Sequence, residues 1–278
     1  MKNTVNSFRQ AKGSEKLTML TAYDYTTARI IDECGINSIL VGDSLGMVML
    51  GYADTLPVTM DDMIHHCAAV ARGVKNALLI CDMPFMSSQA GVAKCVENAG
   101  RLVKEGRAQA VKLEGGSQYA PEISALVRAS IPVIAHIGLT PQSVNAFGGF
   151  KVQARNLDAA RKLLADAHAA EEAGAFAILL EGVPAPLAEK LTAEVNVPVI
   201  GIGAGPGCDG QVLVWQDMLG MNQDRVPKFV RRFGEIGAAM REAVNAYKAA
   251  VEKGEFPAEE HCYQIDEAVM KGLEQESN

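Results

Sequence analysis

ALLICDMPFMSSQAGVAKCVENAGRLVKEGRAQAVKLEGG (77–116) is the stretch that decides the fold. Two short apolar runs, 77–85 and 109–116, flank VAKCVENAGRLVKEGRA (92–108), whose apolar residues recur at helical spacing. Strand, helix, strand in that order means two parallel strands joined by a helical crossover. The same alternation extends both ways. LTMLTAY (17–23), INSILVGDS (36–44), IPVIAHIGL (131–139), FAILLEGVP (176–184), VPVIGIGAG (197–205) and QVLVWQDML (211–219) read as further buried strands. TTARIIDECG, LDAARKLLADAHAAEEAGA and PLAEKLTAEVN read as intervening helices. Many helices stop at glycine, as at Gly35, Gly106 and Gly174, where a left-handed residue can turn the chain. Eight such units in 278 residues predict a closed α/β architecture, a single-domain (β/α)8 TIM barrel.

Composition narrows the function. Hydrophobic residues make up 49% and charged residues 21%, as in an ordinary globular protein, and the net charge of −7 offers no positive field for nucleic acid or anionic lipid. The start lacks a secretory apolar stretch and no later run approaches the ~20 residues that span a bilayer, so a cytoplasmic protein with small-molecule partners is expected. Six cysteines without a CxxC pair suit reduced, mostly buried thiols; Cys208 beside Asp209 is the one candidate for reactivity. The connections 44–76 and 139–156 are long and rich in Gly, Pro and polar residues, as lids often are. From Pro227 onward, Phe229, Phe233, Ile236, Met240, Val244, Tyr247 and Val251 form one helical stripe, expected to seal the barrel or to meet another subunit.

Active sites of β/α barrels lie at the C-terminal ends of the strands, so the polar residues closing the apolar runs are the candidates. These are Asp43, Ser44, Asp82, Lys112, Glu114, His136 and Glu181. Lys112 and Glu114, two apart on a strand, must share a face. Crowded carboxylates take up protons or gather a cation, and a hard divalent ion, magnesium, meets that need, with Asp43 and Asp82 as inner ligands and Glu114 direct or through water. Lys112 is read as the anchor of a substrate carboxylate rather than a Schiff-base nucleophile, with an ion pair to Glu114 as the structural alternative. His136 either donates to a substrate oxygen or is a satisfied core histidine. Glu181, following the apolar AFAILL, is the candidate general base. His65 and His66, four residues after Asp61 and Asp62, read as a solvated helix face rather than a second metal site. The formal GxGxxG of 205–210 runs into a strand instead of a helix, which argues against a dinucleotide site.

ILVGDSLGMVMLGYADTLPVTMDDMIHH, CDMPFMS, AVKLEGG, HIGLTPQSV, the glutamate of LLEGVP, and GIGAGPGCDGQVLVWQDMLG together closely resemble the ketopantoate hydroxymethyltransferase family, over residues 4 to 264 and in the right order. The resemblance implies transfer of a one-carbon unit from 5,10-methylenetetrahydrofolate to 3-methyl-2-oxobutanoate, giving 2-dehydropantoate on the way to pantothenate. It also implies a homo-oligomer, commonly a decamer. Position by position, Asp43, Asp82 and Glu114 match the family's magnesium site, Ser44 and Lys112 match substrate-binding positions together with Asp43 and Asp82, and Glu181 matches the proton acceptor. The metal is then expected to stabilise the enolate formed when Glu181 removes the C3 proton. Gly182 departs from the cysteine expected in many relatives and would make the site roomier. The barrel domain is taken as 1–264; the tail 265–278 lies outside the pattern. The rival is a magnesium-dependent lyase or mutase acting on another 2-oxo acid, which folate dependence would separate.

Overall fold

A computed structural model describes residues 2–222 and 226–276; the end of the 265–278 tail, at 277 and 278, lies outside the described residues. Eight parallel strands form a closed barrel in chain order: β1 (Leu17–Thr21), β2 (Ser38–Val41), β3 (Leu78–Asp82), β4 (Ala110–Glu114), β5 (Val133–Gly138), β6 (Ala177–Glu181), β7 (Val199–Ile202) and β8 (Gly210–Leu213), with β8 pairing back onto β1. Helices Tyr25–Glu33, Met60–Gly73, Val92–Lys104, Ala120–Arg128, Leu157–Glu172 and Ala185–Glu194 cover the outside. Polar residues start several of them: Asp24 accepts from the Thr27 amide, and Thr59 forms a reciprocal capping box with Asp62.

Strand alternation sorts the side chains into two layers. Leu78, Ile80, Ala110, Ile134, Ala177 and Leu179 pack together inside the barrel, while Leu79, Cys81, Val111, Leu113, Val133 and Ala135 pack outward against helices. Continuing the inward row by two residues reaches Asp82 on β3, Lys112 and Glu114 on β4, His136 on β5 and Glu181 on β6. The apolar interior thus ends in a polar layer at the C-terminal mouth.

The opposite end is closed by the helix Val5–Gln10. Its Phe8 is fully buried in the interior cluster and meets Phe176 edge-on, ring centroids 6.2 Å apart. Lys12 pairs with Asp209 at 2.8 Å, and Asp209 also accepts from the Val199 amide, which ties this segment to the barrel floor.

Here the structure corrects the reading of the C-terminal stripe. Its helix begins only at Ile236 (Ile236–Glu252), after Phe229 and Phe233, and buries just Gly237. Val244 and Tyr247 are 64% and 62% exposed, so this helix does not seal the barrel; the floor it would have covered is already filled by Phe8. Two local readings also change. The run 211–219 stops being a strand at Leu213, because the Trp215 amide donates to Thr21 Oγ1 and the chain turns into the helix Trp215–Met218. Gly35 and Gly174 end helices in the left-handed region, but at the third stop it is Arg107, φ +65°, that takes that conformation; Gly106 is needed for close approach, since a Cβ there would lie 2.7 Å from the Leu102 carbonyl oxygen. No described helix is long and apolar enough to cross a membrane.

Candidate active site

Asp43, Asp82, Lys112, Glu114 and His136 are each at most 4% exposed. Strand register sets Asp82 beside Lys112 and Glu114 beside His136, and Gly138 beside Glu181. Lys112 Nζ lies 3.1 Å from Asp82 Oδ2 and 3.1 Å from His136 Nδ1. An ammonium only donates, so His136 Nδ1 is the acceptor and the ring proton is assigned to Nε2. Burial and the adjacent Lys112 charge both hold the His136 pKa below its ordinary value, which keeps the imidazole neutral. His136 Nε2 stands 3.3 Å from Glu181 Oε2 without the alignment of a hydrogen bond. Burial works against the Lys112 charge, but Asp82, Glu114 and Asp43 outweigh it and keep the ammonium charged.

The loop after β2 brings in two more candidates. The Asp43 amide donates to Asp82 Oδ2 at 3.0 Å, which joins the ends of β2 and β3. Gly42 makes that turn possible: a Cβ there would lie 2.8 Å from Ser44 Oγ and 3.5 Å from Asp82 Oδ2. Ser44 Oγ is 2.8 Å from the hydroxyl of Tyr23, a buried residue at the end of the first apolar run that sequence reasoning did not single out.

Gln142 was also missed. It sits in the turn Pro141–Ser143 of the long 139–156 connection and reaches down into the mouth. Its amide donates to Glu114 Oε2 at 2.9 Å, and its side-chain nitrogen donates to Asp43 Oδ2 at 2.8 Å and to the Met83 carbonyl at 2.9 Å. The only sequence signal was its place in the loop expected to act as a lid.

Charge in this layer does not balance. Asp43, Asp82 and Glu114 face one lysine, and like charges a few ångströms apart cost roughly 4 kcal/mol per pair at an effective dielectric of 20. Burial pushes the Glu114 pKa up to about 8. Burial, then Asp82 and Glu114, raise the Asp43 pKa well above its ordinary value. Asp82 Oδ1 and Glu114 Oε1 are buried and receive no hydrogen bond. Two unserved carboxylate oxygens in an over-acidic pocket fit a cation. Among the described residues no three His, Cys, Asp or Glu side chains form a metal cage by themselves. Magnesium does not require one, since it binds through one or two carboxylates and completes its shell with water and substrate oxygens.

The other sequence candidates lie elsewhere. Cys208 is buried, and burial raises its thiol pKa, against reactivity. Cys67, Cys81 and Cys95 are buried like Cys208, as expected of most of the thiols, while Cys34 and Cys262 are exposed. Asp62 serves the helix cap, His66 Nδ1 contacts the Tyr23 carbonyl at 2.7 Å and His65 is exposed, in keeping with a helix face rather than a metal site. At Gly182, φ +59°, a Cβ would press within 3.0 Å of Leu139, so the glycine there accommodates Leu139 rather than opening space.

With this geometry in hand, comparison with known proteins is specific. The profile of a family described as ketopantoate hydroxymethyltransferase matches residues 2–259. The chain is 63% identical over 274 residues to the 3-methyl-2-oxobutanoate hydroxymethyltransferase of Clostridium novyi (strain NT), covering 98% of this chain and 100% of that one. It is 60% identical over 274 residues, with the same coverage, to the enzyme of that name from Enterococcus faecalis (strain ATCC 700802 / V583). Among solved structures, 2,3-dimethylmalate lyase, a PEP mutase/isocitrate lyase superfamily member, shares the fold at TM-score 0.59 and 16% identity, covering 99% of this chain and 100% of the other. Phosphonopyruvate hydrolase shares it at TM-score 0.58 and 16% identity, over 99% and 97% of the two chains.

Proposed function

The chain belongs to the ketopantoate hydroxymethyltransferase family, and from that premise we propose that the polar layer at its barrel mouth adds a hydroxymethyl group to C3 of 3-methyl-2-oxobutanoate, giving 2-dehydropantoate, with magnesium and 5,10-methylenetetrahydrofolate as metal and one-carbon donor. The lyase or mutase reading gives way, because the distant lyase shares only the fold at 16% identity whereas the transferases are 60–63% identical over nearly the whole length. One observation carries the assignment of the site: a buried lysine and neutral histidine sit among carboxylates with unserved oxygens, beside a single carboxylate, Glu181, whose side chain is 16% exposed and open to the mouth.

Asp43 and Asp82 would hold the metal, with Glu114 direct or through water. When bound, the ion withdraws electron density from the 2-oxo group and so acidifies the C3 proton. Lys112 spends two of its three N–H donors on Asp82 and His136, which leaves one for the substrate carboxylate. Ser44, held by Tyr23, offers a second polar contact to the substrate. Glu181 takes the C3 proton, and neutral His136 keeps an unused Nε2 proton for a substrate oxygen. The C3 carbon then forms the new bond to the one-carbon unit, either to formaldehyde that water has released from the folate or to the folate-borne iminium, whose carbon–nitrogen bond water then breaks; in both cases water supplies the hydroxyl oxygen and tetrahydrofolate leaves. The exposed stripe on Ile236–Glu252 supports a homo-oligomer, because apolar rows of this length rarely stay solvated.

An assay for 2-dehydropantoate, omitting folate donor and magnesium in turn, tests the reaction; product formed equally well without either refutes the cofactor assignment. For the base, Glu181→Gln should lower turnover by ~10²-fold or more while keto-acid binding persists. Undiminished isotope exchange at C3 in that variant would remove Glu181 from the role.

A further inference from the structure

At the far end of the barrel from the mouth, a cleft of about 800 Å³ opens between the C-terminal ends of the helices Met60–Gly73 and Val92–Lys104 and the starts of β3 and β4. Five cationic side chains line it, Lys2, Arg72, Lys75, Lys104 and Arg107, against one acid, Glu105. That acid is already engaged, since both its oxygens accept from Arg101. Among the described residues none of the five cations makes an ion pair with an acidic side chain. Basic residues near helix C-termini ordinarily offset the macrodipole, but two helix ends supply only about half a negative charge each. A clear positive excess is left in one concavity of a chain whose net charge is −7.

Arg107 lies in the turn that follows the helix Val92–Lys104. It holds a left-handed backbone, φ +65°, two residues past the helix cap Glu105. The lining also includes the apolar Ala68, Ala71, Val74 and Val103. One phosphate group brings roughly two negative charges, too few to answer five cations, and it would leave the apolar part of the lining unused. The volume falls in the range that encloses a small organic ligand.

We infer that this cleft binds a small organic polyanion carrying at least two phosphate groups, of the size of a nucleoside diphosphate. It is separate from the catalytic mouth, since β3 runs from Leu78 beside the cleft to Asp82 in the mouth, a span of about 13 Å at 3.3 Å per residue. The site does not depend on which reaction the mouth performs.

The test is calorimetric titration of the intact protein with ADP, pyrophosphate or inorganic phosphate at low salt, without divalent metal and with the mouth saturated by 3-methyl-2-oxobutanoate. One ADP per chain is expected, weakened by salt, with pyrophosphate weaker and phosphate weakest. Lys104→Glu and Arg107→Gly should each weaken ADP by roughly tenfold or more, the loss of one charge-assisted hydrogen bond, with turnover unchanged. Arg107→Gly should also keep or raise the thermal midpoint, which separates a ligand contact from a structural role. No ADP binding, or binding equal in both variants and the parent, overturns the inference. Pyrophosphate binding as tightly as ADP overturns the organic part of it.

Discussion

Gln142 shows how much of the mouth hangs on a neutral side chain. Its three donated hydrogen bonds fix Glu114, Asp43 and the Met83 carbonyl in one arrangement. Gln142→Leu keeps the shape and the backbone contact but removes two of them. One of these is charge-assisted, worth about 1.5–3 kcal/mol. The variant is expected to need roughly tenfold or more magnesium for half-maximal activity, with an unchanged circular dichroism spectrum; an unaltered magnesium dependence would deny Gln142 its positioning role. The pH dependence follows from Glu114. Its folded pKa of about 8 lies above the unfolded value of about 4.3. The folded state therefore keeps a proton that the unfolded chain has lost, and this contribution to stability declines by about 1.4 kcal/mol per pH unit from about 4.3 to about 8, then levels off. Thermal midpoints of the metal-free protein should fall between pH 5.5 and 8, and Glu114→Gln should flatten that slope; an equally steep slope in the variant would disprove the cause. The acidic and basic residues of the site were legible because each closes an apolar run at the end of a strand. Gln142 and Tyr23 were not, because an amide in a loop and a tyrosine after a strand acquire meaning only when the chain closes on Asp43, Glu114 and Ser44.

At the level of elements, the β/α alternation was readable since strand runs and helical spacing have different periods, as in 77–116. Element ends were less so. Leu213 ends β8 through a hydrogen bond from Trp215 to Thr21, 194 residues away in sequence, which no local pattern encodes. The C-terminal stripe was visible, yet its partner was not, because an amphipathic face specifies only that it needs cover. The double substitution Val244→Glu and Tyr247→Glu places charges on the exposed face of Ile236–Glu252. It should shift the protein to monomers in light-scattering chromatography without loss of helix content; an unchanged mass would place the subunit contact elsewhere.

For the whole molecule, the short helix Val5–Gln10 carries an importance its length conceals. Phe8 is 0% exposed, so Phe8→Ala removes a fully packed ring from the floor and should cost about 3–5 kcal/mol in denaturant unfolding. Turnover at moderate temperature should persist, as the polar layer lies at the other end of the strands; a collapse of turnover with little change in stability would mean that the two ends are coupled. A packed interior above that plug leaves the polar layer reachable from one side only. On the proposed function, a keto acid held by Lys112 would sit below the bulkier one-carbon donor and would enter before it, with its product leaving after the spent donor, so steady-state kinetics should show a compulsory order of addition, and product-inhibition patterns of a random scheme would contradict it.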